Sequence, residues 1–139
     1  MTNVVAMSRP LRLALLADGA ASGTSAALLV AGAGSLESWL GLPVALMREA
    51  GLVLVPYVIF VVFLASRPAV SVGAVSTVIA INLAWAAASS LLPVSGWVAP
   101  TLLGIAFVLA QGFAVGALGL IQYICLRQAR VRGAEPAVG

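Results

Sequence analysis

Asp18, Ser22 and Ser25 are spaced i, i+4 and i+7, so a helix carries all three on one face. Asn82 and Ser89 repeat that logic seven residues apart, and Gln111 and Gln122 align over about three helical turns. Three segments therefore each offer a polar stripe. A fourth contributes Arg48 and Glu49, then Tyr57 directly after Pro56. Trp85 adds an indole N–H near Asn82. Two chemistries fit such stripes. One is a set of hydrogen bonds that lock helices together. The other is a polar cavity for a small ligand or ion, in which a carboxylate such as Asp18 can take up or release a proton.

The residue inventory narrows the chemistry further. The chain has no His, its seven basic residues are all Arg, and Cys125 is its single cysteine. Without His or Lys, the many Ser and Thr hydroxyls lack the usual base that makes a nucleophile. One cysteine allows neither an internal disulfide nor a CxxC redox pair. The sequence thus offers no catalytic set, no metal-ligand cluster and no cofactor motif.

These residues sit in a very apolar chain. Of 139 residues, 63% are hydrophobic and 8% charged, against about 25% charged in soluble proteins. Too few polar side chains exist to cover a water-facing surface, so lipid is the fitting solvent. Four apolar stretches follow: Leu11 to Ala33, Val44 to Ala65, Val70 to Leu92, and Ala99 to Leu126. Each reaches the ~20 residues that cross ~30 Å of hydrocarbon. The fold expected is an all-α membrane protein, a four-helix antiparallel transmembrane bundle in one domain over 1–132. A mobile cytoplasmic tail follows over 133–139. The first stretch is too long for the apolar region of a signal peptide, and Asp18 interrupts it.

Four spans put Arg9, Arg12, Arg67, Arg127, Arg130 and Arg132 on one side, with only Arg48 near the other. Positive charge favours the cytoplasmic side, so both termini are expected there. Arginine at span ends, rather than in a basic stripe, argues against nucleic acid as a partner. Trp39 and Trp97 then fall at the outer interface and Tyr123 at the inner one. The stretch from Leu36 to Leu42 reads as a connecting loop or a short amphipathic turn lying flat on the outer surface.

Packing signals are present too. Gly19 and Gly23 form one GxxxG pair, and Gly112 and Gly116 form another. Small residues let helix backbones approach closely, either inside the bundle or across a homodimer face. Pro56 breaks the hydrogen-bond ladder of the second span, freeing a carbonyl near Leu52. Counting 1.5 Å per residue from each expected helix start puts Asp18, Tyr57 and Gln111 in one layer, ~10 Å from the cytoplasmic edge. Ser25, Arg48, Glu49, Asn82 and Trp85 form a second layer in the outer half.

The functional expectation is a non-enzymatic membrane protein that binds a small or lipid-like ligand or acts as an accessory subunit. The alternative is a small dimeric proton-coupled transporter in which Asp18 carries the proton. The stretches Asp18 to Gly23, Leu40 to Pro43, Leu46 to Leu52 and Pro100 to Gly104 resemble a group of small bacterial four-helix membrane proteins of uncharacterised function. That resemblance implies a bacterial inner-membrane location and no particular activity.

Overall fold

A computed structural model describes residues 3–135. Four helices are long and apolar enough to cross a membrane. They are α1 (Arg9–Leu40), α2 (Val44–Ala65), α3 (Val72–Leu91) and α4 (Leu102–Ala134), joined up and down as an antiparallel bundle. Two short strands, β1 (Val4–Ala6) and β2 (Ala69–Ser71), and a 3-10 turn over Leu92–Val94 complete the described chain. α1 packs against α2 and α4, and α4 also packs against α3. The α2 and α3 backbones pack less closely than those of the other neighbouring helices.

The helices differ from expectation mainly at their ends. α1 runs on through Gly32, Gly34 and Ser35 to Leu40, where a loop or surface turn is expected. A glycine inside a helix costs about 1 kcal/mol relative to alanine. Fully buried Ala33 and nearly buried Leu40 supply packing that outweighs it. The helix stops at Gly41, whose φ of 67° is left-handed backbone that favours glycine. α3 begins at Val72 rather than Val70, with the Ser71 hydroxyl accepting from Ala74 N. α4 begins at Leu102, not Ala99, where Thr101 Oγ1 accepts from Gly104 N and donates to Trp39 O. It continues past Leu126 to Ala134, so Gly133 and Ala134 are helical rather than tail. The tail positions 136–139 lie outside the described residues.

The arginine-rich end is closed by the two strands. β1 and β2 pair antiparallel, with Val5 opposite Val70. Both valines are buried and join Leu11, Leu15, Val75 and Leu126 in one apolar cluster. Pairing these strands satisfies backbone groups of the non-helical chain at this end of the bundle. Met7 N donates to Pro68 O, and Val72 N to Asn3 O, which extend the clasp. Cys125 is buried in the same cluster. At the opposite, tryptophan-bearing end, a second cluster gathers Leu29, Ala33, Leu40, Leu42, Met47 and Val108.

Small residues set the helix separations. Gly19 and Gly23 face Val62 and Val58 of α2. Gly112 and Gly116 face Ser89 and Ala86 of α3. Both GxxxG pairs thus line contacts between helices of the same chain. Pro56 is exposed and lies inside an uninterrupted α2.

A Cβ at Gly112 would stand 2.7 Å from Ser89 Cβ, whereas one at Gly34 meets nothing within 4 Å. Gly112→Val is therefore expected to lower the unfolding free energy in detergent by about 1–3 kcal/mol. Gly34→Ala is expected to raise it by up to about 1 kcal/mol. Reversible unfolding in mixed micelles, followed by circular dichroism, reads both.

Candidate functional site

All four helices converge on Asp18, which is fully buried. Its Oδ2 accepts three hydrogen bonds: from the Tyr57 hydroxyl at 2.7 Å, Gln122 Nε2 at 2.8 Å and Asn82 Nδ2 at 2.9 Å. Its Oδ1 accepts from the Ser22 hydroxyl at 3.1 Å. Asn82 Nδ2 also donates to Gln122 Oε1 at 2.9 Å. The Tyr57 hydroxyl lies 2.8 Å from Asn82 Oδ1 as well. The four donors come from α1, α2, α3 and α4 in turn, and all are uncharged.

Local structure explains the convergence. Ser22 follows Asp18 by one helical turn, so the two share a face of α1. Measured from the observed helix ends, Asp18, Tyr57 and Asn82 all lie about 12–15 Å from the arginine-rich end. Starting α3 at Val70 lifts Asn82 by about 3 Å and moves it into the wrong layer. The close approach of α1 to α2 at Gly19 brings Tyr57 within reach of Asp18.

The second layer has a different membership from the one expected. Trp85 Nε1 donates to Gln111 Oε1 at 3.0 Å, and Gln111 Nε2 donates to the Ser89 hydroxyl at 2.7 Å. Gln111 Nε2 also donates to the Val108 carbonyl at 3.0 Å. Gln111 thus belongs with Trp85, not with Asp18 and Tyr57. Asn82 belongs with Asp18, not with Trp85. Gln122, aligned with Gln111 yet outside the expected site, takes the place by Asp18. Its signal is the eleven-residue spacing, which puts it on the same face about 16 Å further along α4. Every buried side-chain polar atom among the described residues has a partner.

Two cavities adjoin these layers. The larger, about 350 Å³, sits toward the tryptophan-bearing end and is bounded by all four helices. Leu29, Met47, Phe107 and Val108 form its apolar walls, and Trp85, Ser89 and Gln111 give it one polar side. The smaller, about 90 Å³, lies between the layers and is lined by Ser22, Tyr57 and Asn82 together with Trp85 and Gln111. Ser25, Leu54, Trp85 and Gln111 border both, so the two are neighbours. Ser25 is therefore a wall residue rather than a member of either hydrogen-bonded layer. Glu49 is exposed and lines the larger cavity. Arg48, also exposed, lines neither.

Removing the Asp18 carboxyl leaves Gln122 Nε2 without its acceptor and costs Tyr57 and Asn82 one bond each, although Tyr57 keeps Asn82 Oδ1 and Asn82 keeps Gln122 Oε1. A stranded buried donor costs about 1–3 kcal/mol, although single hydrogen bonds inside membranes average about 0.6 kcal/mol. Asp18→Ala is expected to lower the unfolding free energy in mixed micelles by about 2–3 kcal/mol. Tyr57→Phe keeps the ring and loses one hydroxyl, so a loss of about 1 kcal/mol is expected in the same assay.

Comparison of the chain with protein-family models, with curated proteins and with solved structures found no match.

Proposed function

We propose that this is a polytopic protein of a bacterial inner membrane that binds a small, mainly apolar molecule in the larger cavity and catalyses no reaction. The observation that carries this reading is the cavity itself. At about 350 Å³ it falls in the range of small-molecule sites, which are mostly apolar with a few convergent polar groups. The Trp85–Gln111–Ser89 chain supplies those groups along one wall. In this reading a lipid-dissolved molecule enters between α2 and α3, the neighbouring helices whose backbones pack least closely.

Orientation follows from charge. Arg12 donates to the carbonyl of Arg67, which puts the α1 start beside the α2–α3 connection. α4 ends at this same end with Arg127, Arg130 and Arg132. The positive-inside rule assigns that end, and both termini, to the cytoplasm. Exposed Trp39 and Trp97 then sit at the outer interface, where amphipathic rings are favoured.

A second reading, a small proton-coupled transporter that works as a dimer, draws on the Asp18 ring. Six short polar contacts join its five side chains. With Asp18 ionised, the Tyr57 hydroxyl has one proton for two acceptors, Asp18 Oδ2 and Asn82 Oδ1. A proton taken up at Asp18 passes its hydrogen bond to the Tyr57 oxygen and frees the Tyr57 proton for Asn82. The ring thus has a place for one extra proton beside the smaller cavity.

Native mass spectrometry from a mild detergent tests the first reading. The expected spectrum carries a bound adduct of small-molecule mass, and Ala88→Trp, which fills the larger cavity from α3, removes it. A wild-type protein that never carries an adduct across several detergents contradicts the reading. For the second, Asp18→Asn in proteoliposomes is expected to abolish flux driven by a proton gradient, and undiminished flux rules it out.

A further inference from the structure

Of the described side chains that line the larger cavity, Glu49 alone is charged. It lies five residues into α2, about 8 Å below the end of that helix, inside the apolar zone. A carboxylate at such a depth is costly in lipid and, by default, marks a ligand or ion path. Its neighbour Arg48 does not line this cavity, and the two side chains leave the helix about 100° apart, so they do not face each other. The polar groups that α1, α3 and α4 bring to the same space are Ser25, Trp85, Ser89 and Gln111, all uncharged. Among the described residues, the cavity lining thus has one acidic side chain and no basic one.

The remaining lining fits the same kind of occupant. Trp85 and Phe107 offer aromatic rings, and ring faces attract cations. The Trp85 indole N–H is already donated to Gln111, so what Trp85 has left to offer is its face and edge. Apolar area dominates the walls through Leu29, Met47 and Val108. Glu49 and Val53 of α2 and Trp85 and Ala88 of α3 line the cavity from the two sides of the α2–α3 seam, where the backbones pack least closely among neighbouring helices.

We propose that the occupant is an amphiphilic cation, an organic amine or quaternary onium with a bulky apolar body, whose charge pairs with Glu49 while its body fills the space against Trp85 and Phe107. The proposal rests on the cavity being a ligand site and adds the charge of the ligand. An anionic lipid is the wrong partner for this cavity, because its head group would meet Glu49 with like charge. A neutral apolar molecule fits the walls and leaves Glu49 unused.

Three phenyl-bearing probes separate these cases: tetraphenylphosphonium, the smaller neutral triphenylmethanol, and tetraphenylborate. The full chain is placed in nanodiscs of zwitterionic lipid, with Trp39→Phe and Trp97→Phe so that Trp85 fluorescence reports the cavity. Binding is corrected for partition into protein-free nanodiscs. Tetraphenylphosphonium is expected to bind about tenfold or more tightly than triphenylmethanol, a difference of about 1.4 kcal/mol, with tetraphenylborate weakest. Glu49→Gln is expected to erase the cation's advantage, and Glu49→Asp, which keeps the charge, to retain most of it. If triphenylmethanol binds as tightly as the cation, or Glu49→Gln leaves the preference intact, the charge assignment is overturned while the cavity stands. If none of the three binds, the cavity reading falls with it.

Discussion

The structure depends on one buried carboxyl group. Asp18 accepts hydrogen bonds from side chains on all four helices, and none of those donors is charged. In lipid, helices gain little from burying apolar surface against one another, since the solvent is as apolar as they are. Close packing and interhelical polar contacts must hold the bundle instead. Asp18 supplies the polar part at one depth, and the glycine contacts between α1 and α2 and between α3 and α4 supply the packing around it. The rotation of each helix is thereby fixed, because a turn of one helix by about 100° removes its donor from the ring.

Fixing the bundle at that depth leaves the other half free to be open. Toward the arginine-rich end the paired strands and an apolar cluster close the structure. Toward the tryptophan-bearing end the helices surround a cavity, and the α2 and α3 backbones pack least closely among neighbouring helices. The Trp85–Gln111–Ser89 chain keeps α3 and α4 together along one wall. A small polar gap lined by Ser22, Tyr57 and Asn82 joins the closed half to the open one.

Much of this is legible in the sequence. The four spans and their even count follow from hydrophobicity and from the one-sided arginines. The polar faces are legible as well, because spacing in a helix reports rotation directly: Asp18 with Ser22, and Asn82 with Ser89, each share a face. What spacing cannot report is how far each helix slides along the bundle axis. Hydropathy puts Asn82 and Gln111 in each other's layers because α3 begins two residues later, and α4 three residues later, than the apolar stretches do. Gln122, about 16 Å further along, meets Asp18 because α1 and α4 also run on past their apolar stretches, to Leu40 and Ala134. The β1–β2 clasp is not legible, since strands of three residues carry no readable alternation. The continuation of α1 past Gly32 and Gly34 is hidden for another reason: burial of Ala33 and Leu40 overrides a weak local preference against helix.

If Asp18 ties the helices together, its loss must weaken specific pairs of helices. A double-mutant cycle between Asp18→Ala on α1 and Gln122→Ala on α4, read as unfolding free energy in mixed micelles, isolates that coupling from the cost of each single truncation. The ring requires a coupling energy of about 1 kcal/mol or more, at the upper end of what interhelical hydrogen bonds show in membranes. Strictly additive losses, with no coupling beyond experimental error, would contradict the central role of Asp18.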